Sequence, residues 1–227
     1  MAVIATKNLK KIYGKKESAF TALSDIDLAI DQGEAVAIIG KSGSGKSTLM
    51  HLLALLDEPT KGTIIVNNSD AHELSSKQLD DLRNSSFGFV FQQFFLNAND
   101  TVLNNVILPL KIAGLSRHER SRRGHEVLKA VELEDKAKSR ARDLSGGQKQ
   151  RVCIARALIN EPSVIFADEP TGNLDSATGK KIEDLLFSLN REKGITLIVV
   201  THDEDLAKRC DRRVYLKDGH IIPRGKL

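Results

Sequence analysis

The sequence contains no tryptophan, and aromatic residues make up only 4% of its 227 residues. That leaves little with which to stack exposed bases, so a nucleic-acid partner is not expected. Its two cysteines, Cys153 and Cys210, show no C-x-x-C spacing. They read as core or surface thiols in a reducing compartment, and a metal site built on them is not expected. No apolar run approaches the ~20 residues needed to cross a bilayer. The N-terminus also lacks the basic, apolar and small-residue order of an export signal, so neither a membrane span nor secretion is expected. Charge of one sign does not dominate: 34 Lys and Arg stand against 30 Asp and Glu, a net charge of +4. The positive charge is spread out and concentrates locally at Arg117–Arg123 and at Lys136, Lys138, Arg140 and Arg142. This balance permits a polyanionic or membrane-surface partner without demanding one.

Hydrophobic residues at 41% and charged residues at 28% describe a soluble globular chain, long enough for one large domain or a core with a small subdomain. Its organising stretch is Glu34–Leu49. Ala35–Ile39 is an apolar run suited to a strand buried on both faces. Gly40-Lys41-Ser42-Gly43-Ser44-Gly45-Lys46-Ser47 then fits G-x-x-x-x-G-K-[ST], and Thr48–Leu55 opens a helix. A triphosphate needs several backbone N–H groups converging on its oxygens, and side chains at those turns would block the approach. Gly40, Gly43 and Gly45 remove that obstacle, and the helix start adds its positive dipole end. Lys46 can reach the β- and γ-phosphates, and the Ser47 hydroxyl can ligate Mg²⁺. A flexible surface loop would not need a strand before it and a helix after it. The stretch reads as a nucleotide-phosphate site.

Upstream, Val3–Leu9 and Ala22–Ile30 alternate apolar and polar residues, with Lys10–Gly14 leading into a turn. This predicts an antiparallel β layer beside a nucleotide-binding core. Tyr13 is either a ring stacked on the base or an ordinary packed strand-end aromatic. Downstream, Thr63–Val66 reads as strand, Ser75–Arg83 as helix, and Phe87–Phe91 as a strand ending at Gln92-Gln93. An amide just past a buried strand can touch Mg²⁺ or water, or can be no more than a solvated strand end. From Phe94 to Ala157 the character turns helical. Val102–Ile112 and Glu119–Val131 carry apolar residues at mixed three- and four-residue spacing, which predicts an inserted helical subdomain. Arg117–Arg123 fits a solvated helix face better than a binding patch.

Leu144-Ser145-Gly146-Gly147-Gln148 comes next, before a helical run from Val152 to Ile159. Small residues, free N–H groups and a hydroxyl make it a second anion-binding helix start. A monomer with one triphosphate has no obvious need of two such starts. A dimer that completes each site with the partner's second element does. The apolar strand Val164–Ala167 delivers Asp168 and Glu169 at its end. Asp168 can hold the Mg²⁺ shell, and Glu169 can orient or deprotonate an attacking water. Pro170–Asp175 reads as a turn, Ser176–Leu189 as an amphipathic helix, and Thr196–Val200 as a buried strand ending at Thr201-His202-Asp203. A lone histidine is usually structural, but one at a strand end beside a phosphate-loop core can sense a γ-phosphate. Val214–Leu216 and His220–Ile222, joined through Lys217-Asp218-Gly219, read as a closing hairpin, after which no regulatory domain is expected.

With these motifs in this order, residues 3–222 resemble the ATP-binding subunit of an ABC transporter. The resemblance implies an α/β fold: a P-loop NTPase (RecA-like) core with an antiparallel β subdomain and an inserted α-helical subdomain. It implies one ABC ATP-binding domain over 1–227, with 1–92 and 158–227 as catalytic core and 93–157 as the helical part carrying the signature. Tyr13 would be the adenine-stacking aromatic. Gly40–Thr48 would be the Walker A loop, its Gly40, Ser42, Gly43, Gly45, Lys46, Ser47 and Thr48 binding nucleotide. Gln92 would be the Q-loop glutamine, and Leu144–Gln148 the signature, with Ser145, Gly146, Gly147 and Gln148 on the nucleotide. Val164–Asp168 would be Walker B, Glu169 the catalytic carboxylate, Asn173-Leu174-Asp175 the D-loop and His202 the switch histidine. Catalysis would fall to Glu169, His202 and Lys46, and Mg²⁺ to Ser47, Gln92 and, through water, Asp168. The implied partners are an integral membrane permease and a second copy, head to tail, with two ATPs sandwiched between Walker A and signature. The implied location is cytoplasmic, peripheral on the inner face of the membrane through the permease.

Asp-Glu-Pro-Thr-Gly-Asn-Leu-Asp at 168–175, Gly88-Phe89-Val90-Phe91-Gln92 and the short length resemble the macrolide-export, lipoprotein-release and cell-division ATPases. Those transmit force across the membrane rather than pass solute through a channel. The cell-division relatives supply the alternative expectation, a regulatory ATPase that controls a wall hydrolase without transport. A soluble ABC ATPase of DNA repair or translation would carry long insertions or two nucleotide domains, and this chain has neither. One segment departs from the pattern: Phe94–Thr101 stands where the family usually has a Leu-Pro-like stretch, in a region that faces the permease in relatives.

Overall fold

Alternation of apolar and polar side chains builds the first two strands. In the computed structural model, which describes residues 1–223, β1 (Ala2–Tyr13) and β2 (Phe20–Asp31) pair antiparallel, from Ala2 opposite Asp31 to Tyr13 opposite Phe20. The strand expected over Val3–Leu9 continues to Tyr13, and the turn that Lys10–Gly14 leads into begins at Gly14, at φ +80. Register shifts between Thr6 and Leu9 and between Leu9 and Ile12, with Asn8 and Asp25 at positive φ, absorb the break in alternation without ending the pairing.

The chain continues through β3 (Ala35–Ile39), α1 (Lys46–Leu53), β4 (Lys61–Val66), β5 (Ser69–Asp70), α2 (Ser76–Ser86) and β6 (Phe87–Phe91). Then come α3 (Val102–Val106), α4 (Leu108–Ile112), α5 (Arg117–Ala130), α6 (Gly146–Leu158), β7 (Val164–Asp168) and α7 (Ser176–Lys193). The last elements are β8 (Thr196–Thr201), α8 (Glu204–Lys208), β9 (Arg212–Lys217) and β10 (His220–Ile222). These described residues form two compact units, Met1–Arg83 with Thr196 onward, and Asn84–Ile195.

In the first unit the expected antiparallel layer is present, with β4 on the other flank of β1 (Ile4 opposite Val66) and β5 beyond it. A second set of strands runs parallel: β3 is buried at every residue and lies between β8 and β9, and β10 closes against β9 as the predicted hairpin. Asp218 and Gly219, both at positive φ, make its two-residue turn. Helix α1 buries Leu49, Met50, Leu52 and Leu53. Short α8, which the sequence pattern did not reveal, starts where Asp203 accepts hydrogen bonds from the N–H groups of Asp205 and Leu206.

In the second unit β6 and β7 run parallel and in step, Phe87 opposite Val164 and Phe91 opposite Asp168. Phe166 is fully buried between Phe87, edge-on at 5.2 Å, and Phe89, stacked at 5.6 Å. Helix α6 covers β6, and α3, α5 and α7 pack on α6. The helix expected over Val102–Ile112 is two helices. Pro109 has no N–H to continue the ladder, so α3 ends and α4 restarts around it. Helix α5 begins earlier than expected because Ser116 caps it, and Arg122 bridges Glu119 and Glu126 on its solvated face. Helix α6 begins at Gly146, at the glycine-rich start read from the sequence, and Ser145 and Gln148 form a complete capping box there. Helix α7 runs past Leu189 to Lys193 and stops at Gly194, which is left-handed. No helix among the described residues is long and apolar enough to cross a membrane.

Because Phe166 sits fully buried between two other rings, Phe166→Ala is expected to destabilise the chain by about 3–5 kcal/mol, read from urea unfolding followed by circular dichroism.

Candidate functional site

Gly40 follows buried β3 at a point where any side chain is excluded: a Cβ there would lie 2.3 Å from the Leu216 carbonyl oxygen. The loop then rises to Gly45, which precedes α1 at φ +103, with a would-be Cβ 2.8 Å from the Ala22 carbonyl oxygen. No side chain caps α1, and its first turn carries no acid. Its leading N–H groups are therefore available to an anion. Lys46 folds back over the loop and donates from Nζ to the carbonyl oxygens of Gly40 (2.8 Å) and Lys41 (3.0 Å). Its ammonium thus stands over the cradle that the loop forms.

Ser42, Gly43, Gly45, Lys46, Ser47 and Thr48 line a cavity of about 500 Å³. Phe20, Thr21 and Ala22 of β2 complete it with Asp218 and Gly219 of the hairpin turn. Neither segment is marked by its spacing as a neighbour of the loop. Gly219 donates its N–H to the Ser44 carbonyl (3.0 Å), and its own carbonyl accepts from Ser24 N–H (2.9 Å). The hairpin turn thereby ties the phosphate loop to β2. An Asp-Gly turn is legible in sequence; its docking against residue 44 is not.

Tyr13 lies with its ring 5.6 Å from Phe20, and its hydroxyl donates to Asp57 Oδ2 at 2.6 Å. Of this pair, Phe20, 60% exposed, is the one that lines the cavity. Lys11 Nζ donates to Asp57 Oδ1 at 2.6 Å and sits 4.8 Å from the Tyr13 ring centroid. Burial, and then the bond to Asp57, push the Tyr13 phenol up. For Asp57, burial works to raise the carboxyl, but the bonds from Lys11 and Tyr13 together outweigh it and hold it below the ordinary range. His202 is exposed just past β8, and the β3–β8 register sets Ile39 opposite Thr201. Gly40 and His202 therefore leave neighbouring parallel strands at the same end, where α/β sheets bind ligands.

The second unit repeats that arrangement. Phe91 pairs with Asp168, so Gln92 and Glu169 leave β6 and β7 side by side. Glu169 has φ +45, a conformation uncommon for a glutamate, at the point where the chain turns away from β7. Gln92 faces Asn173 across a pair of hydrogen bonds. Ser145 Oγ accepts from Gln148 N–H, and Gln148 Oε1 accepts from Ser145 N–H at 2.9 Å. Gly146 and Gly147 form the first turn of α6, and Ser145, Gly147 and Gln148 edge a cavity of about 510 Å³ with Arg151, Thr178 and Lys181. The divergent segment after Gln92 is gripped by α6. Arg156 donates to the carbonyls of Phe94 and Phe95, and the Cys153 thiol to that of Phe94 at 3.1 Å. Burial pushes that thiol up to about 11, so it is an inert hydrogen-bonding group. Buried Asn105 holds the main chain of Asn97 from both sides, and Phe95 stays 65% exposed.

A phosphate loop, paired carboxylates past a buried strand and a second glycine-rich helix start define a nucleotide-dependent P-loop protein. Residues 23–172 match the family model described as ABC transporter. The lipoprotein-releasing system ATP-binding protein LolD of Syntrophus aciditrophicus is 45% identical over 220 residues, 97% of this chain and 99% of that protein. The macrolide export ATP-binding/permease protein MacB of Mannheimia succiniciproducens is 46% identical over 98% of this chain, which matches 34% of that longer protein. Among solved structures, the dimeric post-hydrolysis state of the ATP-binding cassette MJ0796 bound to ADP and Pi superposes with a TM-score of 0.88. It shares 46% identity, and the match covers 97% of each chain. The chain belongs to the ABC transporter family, and its α/β fold is that of the family's ATP-binding cassettes.

Two outcomes follow. Gly45→Ala should cost about 1–2 kcal/mol from the left-handed backbone alone and weaken ATP binding by roughly tenfold or more, measured by urea unfolding and isothermal titration. Because the Asp57 carboxyl is depressed in the folded state, its contribution is full above the unfolded value of 3.8 and is lost as pH falls through the lower folded value. The melting-temperature deficit of Asp57→Asn should therefore hold steady above about pH 5 and close below it.

Proposed function

We propose that this chain is the ATP-binding and ATP-hydrolysing subunit of an ABC transporter and energises a separate membrane permease. The observation that carries the reading is the pairing of an uncapped phosphate-loop helix, α1, with a second glycine-rich helix start, Ser145–Gln148, in one chain. Two copies set head to tail would complete each site with the partner's second element, as the dimeric cassette structure of a 46%-identical relative supports. Tyr13, with Phe20 beside it, would take the adenine, and Gly40, Ser42, Gly43, Gly45, Lys46, Ser47 and Thr48 the phosphates. Residues 93–157 would form the helical part that presents the signature, and 1–92 with 158–227 the catalytic core of a single domain, of which 224–227 lie outside the described residues.

The residues expected to hold Mg²⁺ suit that ion. The Ser47 hydroxyl, the Gln92 amide and the Asp168 carboxylate offer hard oxygen donors and a single charge. Bound there with ATP, Mg²⁺ would neutralise charge on the phosphates. Lys46 holds the γ-phosphate and stabilises the charge that develops on it. Glu169 accepts the hydrogen bond of the attacking water and aims it in line. His202 contacts the γ-phosphate from the neighbouring strand end, and Ser145, Gly146, Gly147 and Gln148 of the partner copy close the site from the other side. Gln92 and the Phe94–Thr101 segment, fastened to α6, would carry the change to the permease.

The named relatives release lipoproteins or export macrolides, which favours transport of the force-transmitting type over a purely regulatory cycle. The chain would work on the cytoplasmic face of the membrane, held there by its permease. Glu169→Gln is expected to slow hydrolysis by about 10²–10⁴-fold while ATP affinity persists and a dimer accumulates with ATP in light scattering. Normal turnover in that variant would overturn the assignment.

A further inference from the structure

We propose that Asn173 is a positioning residue for Gln92, fixing which end of its amide is presented to the metal. The proposal rests on the reading of Gln92 as a metal-binding amide given above. Asn173 Nδ2 donates to the main-chain carbonyl of Gln92 at 2.8 Å, and Gln92 Nε2 donates to Asn173 Oδ1 at 3.3 Å. The direction of both bonds follows from one atom. A backbone carbonyl can only accept, so the nitrogen of the Asn173 amide must face it. The Asn173 oxygen is then turned toward the Gln92 side chain and requires an N–H there. Gln92 Nε2 is thereby committed, and Oε1, the one atom of that side chain able to ligate a hard cation, is left for the metal.

Two further features hold this arrangement. Gln150, 1% exposed, donates from Nε2 to the carbonyls of Pro170 (2.7 Å) and Phe91 (3.4 Å). It ties the main chain just before Gln92 to the main chain just after Glu169, so the two loops share a buried base and meet again at the amide pair. Gly172 then leaves room for the Gln92 side chain, since a Cβ there would lie 2.8 Å from Nε2 and 3.2 Å from Cδ. Without Asn173, the exposed Gln92 amide would rotate freely and offer nitrogen as often as oxygen. Holding it in one orientation removes that loss before the metal arrives.

The test uses the full chain carrying Glu169→Gln to suppress turnover, and reads the ratio of ATP dissociation constants in EDTA and in Mg²⁺ by isothermal titration. Gln92→Ala should lower this ratio. Asn173→Ala should lower it on the order of fivefold, the worth of about one hydrogen bond, without changing the constant in EDTA or the urea midpoint. Gly172→Ala, which displaces the amide by steric contact and leaves Asn173 in place, should lower it likewise. Adding Asn173→Ala to Gln92→Ala should change nothing more. An unchanged ratio in Asn173→Ala, with a lowered one in Gln92→Ala, overturns the proposal alone, and so does an equal loss in EDTA and Mg²⁺, which would mark a merely structural residue. An unchanged ratio in Gln92→Ala overturns the metal reading of Gln92 and the proposal with it.

Discussion

Helix α1 starts without a side-chain cap, and most of the first unit can be understood as what it takes to hold such a start in place. The N–H groups of a first turn need partners, and a protein normally supplies them from a Ser, Thr, Asp or Asn. Here Gly45 stands at that position in a left-handed conformation, pressed against the Ala22 carbonyl. The preceding loop is fixed by buried β3 below, by the Gly219 N–H on Ser44, and by the Leu216 main-chain carbonyl beside Gly40. The donors are left for an anion, and Lys46 is already folded over the place that anion would take.

The second helix start is built on the opposite principle. Ser145 and Gln148 satisfy each other's main-chain donors in a capping box, so those two N–H groups of the α6 start need no outside partner. Only the N–H groups of Gly146 and Gly147 remain to be offered outward, on a helix held rigid by its own cap. The uncapped start leaves its donors for a ligand; the capped one is a preformed surface that would suit closing on a ligand already held. This asymmetry is the physical content of the proposed head-to-tail arrangement.

Chemistry also collects at strand ends in each unit. Parallel pairing in step sets Gly40 beside His202 and Gln92 beside Glu169, pairs separated by 162 and 77 positions in sequence. Parallel pairing in register sets these edges, while the loops that leave them are held by a few specific bonds, among them those of Gln150, Asn105 and Arg156.

Much of this was legible in sequence because it depends on local rules. The phosphate loop shows as glycine spacing between an apolar run and a helix. The strands show as alternation or as unbroken apolar runs, and the last hairpin as Asp-Gly between two such runs. The ends of α3 and α5 depart from the apolar periodicity where a single residue overrides it: Pro109 by lacking an N–H, Ser116 by capping earlier than the apolar pattern begins. What only the tertiary structure decided were contacts between residues distant in sequence. Phe20 joins the phosphate cavity, Gly219 grips Ser44, Asp57 takes the Tyr13 hydroxyl, and Asn173 turns the Gln92 amide. None of these leaves a trace in spacing, because a hydrogen bond or a ring contact requires only that two groups meet in space, and the strand register, not the local chain, brings them there.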